Sequence, residues 1–195
     1  RAWWRALLAA VGRPGSSGSS HVRADAELRS LDPAAQLSAL VDEHADAIFR
    51  VALSVVRDHA LAEDVAQDSL LKAWQALPSY RGEAPLRNWV LRITHNTAVS
   101  TLRRRRDELR DPATLPETST SGGIDRLVDD RFASADFDRA LDSLDDLSRT
   151  IVVLREIEGL SYEEIAATLD IPMPTVKTRL LRARRVLATA LSEWR

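Results

Sequence analysis

The sequence predicts an all-α protein made of two small helical domains joined by a flexible linker. Apolar residues recur at intervals of three and four along most of the chain, and no strand pattern outlasts its helical alternative. Prolines, glycines and serines cluster between these periodic segments and separate them. With 195 residues the chain has room for one large or two small cores.

Charge is unevenly distributed along a chain whose net charge is only −2. Positive charge gathers in residues 103–106 and 177–185, whereas residues 125–170 are strongly acidic. This segregation is typical of a protein that contacts phosphate with two patches. The sequence has no cysteine, which excludes disulfides and thiolate metal sites and suits a reducing cytoplasm. It has no apolar run of eighteen residues, so we expect no membrane span.

Residues 1–13 are predicted to form an amphipathic helix, and residues 14–32 a linker that contains Gly-Ser-Ser-Gly-Ser-Ser. The apolar face of the helix consists of Trp3, Trp4, Leu7, Leu8 and Val11. The helix could lie on a membrane surface, be a partner-derived peptide on an engineered tether, or be an ordinary extension. Because the chain begins at Arg1, we expect a processed product or an engineered fragment, and we favour the tethered peptide.

Residues 33–106 are predicted to form the first domain, which begins with helices at Pro33 to about Arg57 and at Leu61 to Leu77. The expected core positions are Leu37, Leu40, Val41, Ile48, Val51, Ala52, Val55, Val56, Ala66, Leu70, Ala73, Trp74 and Leu77. The far side of the second helix carries Asp64, Asp68, Leu71 and Gln75. A single leucine on a polar face is ordinary by itself, so a solvated face is the simple interpretation.

A loop at residues 78–85 separates this pair from a third helix, expected from about Leu86 to Arg106. Its inward residues are Leu86, Trp89, Val90, Ile93 and Thr97, and its outward or bordering ones are Arg87, Asn88, Arg92, His95, Asn96 and Val99. An aromatic loop beside Arg, His and Asn could hold an unstacked base, with a ring for stacking and cations for phosphate. The alternative for His95 is a solvated surface histidine.

Residues 107–133 are predicted to be the interdomain linker, and residues 134–195 the second domain. Helices are expected at Ser134 to Leu144 and at Asp146 to Glu158, and Gly159 is expected to end the latter in a left-handed cap. The core candidates are Leu141, Leu144, Leu147, Ile151, Val152, Leu154 and Ile157.

The following residues, 160–187, predict a helix-turn-helix. Ser161 and Glu164 form a capping-box pattern, and the prolines of residues 170–174 impose a turn after which Pro174 is expected to begin the second helix. Val176, Leu180, Ala183 and Leu187 share one side of that helix; Thr178, Leu181, Arg182 and Arg185 share the other, flanked by Lys177 and Arg184. A basic face opposite an apolar stripe suits the DNA major groove. A merely solvated amphipathic helix is the alternative.

Two halves of the chain together resemble one family, the bacterial RNA polymerase sigma factors of the extracytoplasmic-function (ECF) class. Two segments resemble the second sigma region, AEDVAQDSLLKAWQAL and SYRGEAPLRNWVLRITHNTAVSTLRRRR. One segment resembles the fourth sigma region, LDDLSRTIVVLREIEGLSYEEIAATLDIPMPTVKTRLLRARRVL. The resemblance implies a second-region helical bundle, a fourth-region helix-turn-helix and no catalytic chemistry or cofactor. It also implies a bacterial cytoplasmic protein that binds core RNA polymerase and promoter DNA and is restrained by an anti-sigma factor.

The resemblance assigns three sets of residues. Those implied to bind the clamp helices of the largest polymerase subunit are Asp64, Gln67, Asp68, Leu71 and Lys72, while the fourth region would meet the flap of the second-largest subunit. Those implied at the −10 element are Ser79, Tyr80, Arg81, Gly82, Arg92, His95, Asn96, Ser100, Arg103 and Arg104. Those implied at the −35 element are Thr175, Lys177, Thr178, Leu181 and Arg182, with Arg184 and Arg185 near phosphates.

The chain departs from the family pattern at Pro174, where glycine is common, and at Leu181, where a larger ring or a polar side chain is frequent. Two rival functions follow from the residues. A repressor or activator could bind duplex DNA through the helix-turn-helix without polymerase. An enzyme is disfavoured because the four histidines lack metal-ligand spacing and no glycine-rich phosphate loop is present.

Overall fold

The computed structural model describes Leu28 and residues 30–108 and 140–192. All regular secondary structure in these ranges is helical, which confirms the predicted fold class. The chain divides into two compact units. The predicted helix at residues 1–13, the linker that follows it to residue 27, most of the interdomain linker and residues 134–139 lie outside the described residues.

The first domain begins with two capped helices, α1 (Pro33–Val56) and α2 (His59–Ala76). The Asp32 carboxylate accepts hydrogen bonds from the first amides of α1, and Asp58 does the same for α2. Between the helices, Arg57 has a φ of 58° and its amide donates to the Leu53 carbonyl, which closes α1 in a left-handed cap. The Asp58 cap lets α2 begin two residues before the expected Leu61.

A short 3-10 turn (Leu77–Ser79) and a loop lead to α3 (Leu86–Glu108), and the three helices pack on one another. The core follows the predicted pattern at most positions, and it also contains residues that were not predicted, among them Ala62, Val65 and Ala98. Val41 is 39% exposed, so its assignment to the core was wrong. Leu91, which periodicity did not single out, is fully buried, and Asn88, expected at the surface, is buried as well.

The second domain contains α4 (Asp146–Val152), α5 (Tyr162–Leu169) and α6 (Met173–Ser192). Between α4 and α5 the chain forms a π-helical turn (Val153–Ile157), in which the Glu158 amide donates to the Val153 carbonyl, five residues back. Gly159 has a φ of 75°, which confirms the predicted left-handed end of this helical run. The Leu160 amide completes the end by donating to the Leu154 carbonyl.

A buried arginine joins α4 to the segment before it. Arg149 is 1% exposed, and its Nε and Nη2 donate to the carbonyls of Leu141 and Leu144 at 3.0 and 2.6 Å. Its Nη1 lies 3.3 Å from an Asp146 carboxylate oxygen. A charge is tolerated in such a place only when its donors are satisfied, as they are here. The sequence did not predict this cluster.

Within the described ranges, no helix is both long and apolar enough to cross a bilayer. The same ranges hold no group of three or more His, Cys, Asp or Glu side chains that could bind a metal ion.

Candidate nucleic-acid interface

The helix-turn-helix of the second domain begins with the predicted capping box. The Glu164 amide donates to the Ser161 hydroxyl at 3.1 Å, and the Ser161 amide donates to the Glu164 carboxylate at 2.7 Å. Two amides of the first turn are thereby satisfied, which sets where α5 starts.

The turn that follows has one left-handed residue and two prolines. Asp170 has a φ of 53°, and the Ile171 amide donates to the Ala166 carbonyl. The Pro172 carbonyl then accepts from the amides of Thr175 and Val176, so α6 starts at Met173, one residue before the expected Pro174. Pro174 lies in the first turn, where an amide hydrogen would have had no partner within the helix.

Helix α6 has the two faces that the sequence predicted. Its buried side consists of Val176, Leu180, Ala183 and Leu187. Its exposed side, named the reading face from here on, consists of Lys177, Thr178, Leu181, Arg182 and Arg185. Leu181 is 53% exposed although it is a large apolar side chain, and Thr175, at the start of the helix, is half-buried. The helix is therefore anchored on one side and offers a basic, partly apolar surface on the other.

Arg184 has different surroundings from the reading face. Its Nε and Nη2 donate to one carboxylate oxygen of the buried Glu156, at 3.0 and 2.7 Å. Burial alone would lower the pKa of Arg184, but the hydrogen bond and charge of Glu156, helped by Tyr162, raise the pKa above its ordinary value. A phosphate contact by Arg184 would have to compete with this ion pair.

The sequence reasoning missed the part played by Tyr162, the first residue of α5. Its half-buried ring lies 5.0 Å from the Arg155 guanidinium carbon and 5.8 Å from the Lys177 ammonium nitrogen. Both distances are within the range of cation–π attraction. A tyrosine directly after a helix cap, with an arginine seven residues before it and a lysine fifteen residues after it, carries no local signal of such a cluster.

In the first domain, the expected polymerase-binding residues share one exposed surface of α2. This outer face consists of Asp64, Gln67, Asp68, Leu71 and Lys72. Leu71 is 47% exposed. The Lys72 ammonium nitrogen lies 2.7 Å from an Asp68 carboxylate oxygen and 3.4 Å from the Thr97 hydroxyl of α3. The apolar Leu71 side chain is thus exposed on a face whose other side chains are polar or charged.

The loop before α3 differs from expectation at its aromatic residue. Tyr80 is 5% exposed, packs against Trp89 with ring centroids 5.1 Å apart, and donates its hydroxyl hydrogen to the Ala84 carbonyl. The expectation that this ring is open to a stacking base was therefore wrong, because the loop folds back over it. Around it, Ser79, Arg81 and Gly82 are exposed, and Gly82 has a φ of 75° that favours glycine.

Helix α3 presents most of the remaining predicted residues on its surface. The exposed ones are Arg92, Asn96, Ser100, Arg103 and Arg104, of which the last three line a shallow depression with Asp107 and Glu108. His95 is only half-exposed, and its Nδ1 is buried without a hydrogen-bond partner among the described residues. Burial lowers the pKa of this imidazole, so the ring is a neutral part of the surface and not a freely solvated histidine.

Comparison with known proteins places both halves of the chain in one family. A family model for sigma-70 region 2 matches residues 40–108, and one for sigma-70 region 4 matches residues 134–187. The chain is 35% identical over 159 residues to the ECF RNA polymerase sigma factor SigE of Mycolicibacterium smegmatis, covering 79% of this chain and 61% of that protein. It is 38% identical over 135 residues to the ECF RNA polymerase sigma-E factor of Salmonella typhimurium, covering 64% and 70%.

Solved structures of two proteins are similar to this chain. The sigma factor RpoE from Bartonella quintana, crystallised with the anti-sigma factor NepR, matches with a TM-score of 0.62 and 30% identity over 76% of this chain and 91% of its own. CnrH, in complex with the cytosolic domain of CnrY, matches with a TM-score of 0.60 and 28% identity over 87% and 95%. The two sigma-70 regions, in the order that the motifs predicted, show that this chain belongs to the ECF sigma factors of the sigma-70 family.

Proposed function

We propose that the chain binds core RNA polymerase and directs it to a set of promoters, with the first domain at the −10 element and the second at the −35 element. The observation that carries this proposal is the reading face of α6, whose five side chains point outward while the opposite side of the helix is buried. The chain itself takes no part in covalent chemistry, since the polymerase makes the RNA. Such a protein works in the bacterial cytoplasm.

At the −35 element, the reading face combines two kinds of contact. Lys177 and Arg182 can donate to the O6 and N7 acceptors of guanine, and Leu181 can touch a thymine methyl group. Arg185, exposed next to them, can neutralise a phosphate and so supply salt-dependent affinity without sequence preference. Residues near the start of a reading helix meet base edges in this class of motif, which favours Thr175, Lys177 and Thr178.

At the −10 element, the loop residues Ser79, Arg81 and Gly82 stand beside the exposed part of α3. There Arg92, Asn96 and Ser100 can bind an extruded base and the adjoining backbone, with the half-exposed His95 at the edge of the site. Tyr80 supports this loop from inside instead of stacking on the base. Extruding a base costs roughly a few kcal/mol, and contacts with the extruded base must offset this cost. Arg103 and Arg104 are free to approach phosphates.

Polymerase binding is assigned to the outer face of α2. Leu71 would enter an apolar recess on the clamp helices of the largest subunit, while Asp64, Gln67, Asp68 and Lys72 form the polar rim around it. The second domain would meet the flap of the second-largest subunit, which sets its distance from the first domain on the promoter.

An anti-sigma factor is the proposed regulator, because both similar solved structures contain a partner and one of these partners is named as an anti-sigma factor. We also propose that residues 1–13, with their tryptophans and the Gly-Ser tether, are a partner-derived segment. Removing residues 1–20 should then raise transcription by the chain with core polymerase. Unchanged transcription would contradict an inhibitory segment and leave the sigma function standing.

The test of the proposed function is transcription by purified core polymerase on a library of promoter sequences. The chain should confer start-site selectivity that core polymerase lacks. Arg182→Ala should relax the preference at one −35 base pair, with a loss of about 1–3 kcal/mol there. Val186→Ala, an exposed change beside the reading face, is the control and should leave every preference intact.

The rival function, a duplex-binding repressor or activator, gives a different result in the same assay. Such a protein would bind promoter DNA without polymerase and would not co-purify with core enzyme. Selective binding without core, combined with no selectivity gained by core, would overturn the sigma assignment.

A further inference from the structure

The second domain contains a cluster of charges around Tyr162 that the proposed DNA contacts do not require. The Arg155 guanidinium lies over the Tyr162 ring and donates through Nη1 to the Leu160 carbonyl at 2.6 Å. Glu156 holds Arg184 nearby with two hydrogen bonds. The tyrosine ring is therefore held in place by a cation that is itself anchored to the backbone.

Lys177, on the reading face, contacts this cluster through its ammonium nitrogen, which lies 5.8 Å from the Tyr162 ring centroid. A lysine side chain has four rotatable carbons and loses up to about 2 kcal/mol of conformational freedom when it is fixed. Attraction to an aromatic face offsets part of that loss before DNA binds. Arg184 forms an ion pair with Glu156. The Arg184 guanidinium therefore repels the Lys177 ammonium less than an unpaired guanidinium would.

We propose that Tyr162 is a positioning residue for −35 recognition, whose ring holds the Lys177 ammonium in place at the start of the reading face. The inference rests on the proposed function, because it concerns how one of its base-reading side chains is prepared. This role does not require contact between the tyrosine and DNA. It acts by limiting the directions that Lys177 can take before the helix enters the groove, which raises affinity and selectivity by preorganisation.

The alternative to this inference is that the Tyr162 ring hinders DNA binding by Lys177. If Lys177 had to leave the ring to reach DNA, the ring would hold it back, and removing the ring would tighten binding. The two cases therefore differ in the sign of the effect of a substitution at Tyr162.

The test compares four variants of the full chain in the transcription assay with core polymerase, on promoters that differ singly across the −35 element. They are Tyr162→Leu, Tyr162→Phe, Lys177→Ala and the double variant Tyr162→Leu/Lys177→Ala. Tyr162→Leu should lower discrimination about two- to fivefold, the size of an exposed cation–π contact, and only at the base pair that Lys177→Ala relaxes. Tyr162→Phe keeps the ring but loses the hydroxyl that interacts with Arg184, and it should retain the −35 discrimination of the wild type. The double variant should match Lys177→Ala, because the two changes remove one interaction.

Ring-current shifts of the Lys177 ε-methylene protons give a second readout that does not depend on polymerase. They should be present in the wild type and in Tyr162→Phe, and lost in Tyr162→Leu. If the leucine variant unfolds, Tyr162→Met replaces it in both experiments.

The inference fails if Tyr162→Leu leaves discrimination unchanged or raises it, if its effect adds to that of Lys177→Ala, or if Lys177→Ala changes no preference. In each of these results the wild type still directs the polymerase, so the proposed function survives. A wild type that gives core polymerase no selectivity overturns the proposed function, and absent ring-current shifts then overturn the positioning role independently.

Discussion

Arg184 and Arg185 are adjacent in sequence, yet they differ in what they can do. Arg185 is exposed on the reading face, whereas Arg184 is bound to the buried Glu156. The resemblance to sigma factors assigned both to phosphates, because a sequence motif does not show which partner a side chain has on a neighbouring segment. The pairing partner lies 28 residues away, in the π-helical turn.

The two arginines should therefore differ in the salt dependence of DNA binding. Arg185→Ala should reduce the slope of log K against log salt by about 1, since one phosphate contact is lost. Arg184→Ala should leave the slope unchanged and instead destabilise the second domain by about 1–3 kcal/mol, because Glu156 loses its partner. Titrations of fluorescent promoter DNA with the complex of the chain and core polymerase, at several salt concentrations, measure the slopes. Thermal unfolding of the chain measures the change in stability. Equal slopes for both variants would contradict this division of roles.

His95 should make the first domain less stable in acid. Its pKa in the folded protein is lowered from 6.5 by burial, so folding favours the neutral ring. The stabilising contribution of the neutral ring is complete above pH 6.5 and is lost as the pH falls through the lowered value. As the pH falls from about 7.5 to about 5, the stability of the wild type should decline relative to the stability of His95→Gln. Amide hydrogen exchange of helices α1 to α3 measures this difference.

Asn96→Ala is the matched control for this pH effect, because Asn96 is the exposed neighbour of His95 and does not titrate. Its difference from the wild type should be the same at both pH values. A His95→Gln curve that runs parallel to the wild type would show that the protonation of His95 is not linked to folding.

Other residues show what a sequence can and cannot disclose at this scale. Tyr80 and Asn88 were expected at the surface from their polarity and position, but the loop and the first turn of α3 bury both. The Tyr80 hydroxyl is satisfied by Ala84, four residues along, so a polar atom costs nothing there. Such burial depends on how a loop closes, which periodicity does not describe.

At the scale of helices, starts and stops that depend on local chemistry were predictable. The Ser161–Glu164 capping box, the left-handed Gly159 and the prolyl turn all lie where the sequence predicted them. The π-helical turn at Val153–Ile157 was not predicted, because an i to i+5 bond has no residue signature and follows from packing around it. The one-residue shift of α6 to Met173 is within the ordinary uncertainty of helix ends.

The capping box gives a prediction for helix α5. Ser161→Ala should lower the stability of the second domain by about 1 kcal/mol, because the Glu164 amide loses its acceptor. Ser161→Thr keeps a hydroxyl in place and should retain most of the stability. Thermal unfolding and amide exchange of α5 measure both. A threonine variant as unstable as the alanine variant would mean that the cap hydrogen bond does not set the stability of this helix.

At the scale of the whole chain, the fold class and the family followed from periodicity and two long motifs. What a single sequence could not give was which exposed apolar residue is functional. Val41 and Leu71 are 39% and 47% exposed, and it is the resemblance to sigma factors that assigns a binding role to Leu71.

A charged residue introduced at each of these two positions should show whether the effect comes from a charge on any exposed apolar position or from the loss of a polymerase contact. Leu71→Asp should abolish co-purification with core polymerase and leave the unfolding temperature nearly unchanged, because an aspartate cannot enter an apolar recess. Val41→Asp is a matched exposed change in the same domain and should bind core as the wild type does. Equal binding by both variants would remove the outer face of α2 from the polymerase contact.

The buried Arg149 has a consequence for anyone who wishes to excise the second domain as a minimal DNA-binding module. A guanidinium keeps its proton at any pH that a cell reaches. Two of the acceptors of Arg149 are carbonyls that precede α4 in the chain. A fragment that starts at Asp146 would therefore lose both carbonyl acceptors and keep the Asp146 carboxylate, so it should be harder to obtain folded than one that retains residues 140–145.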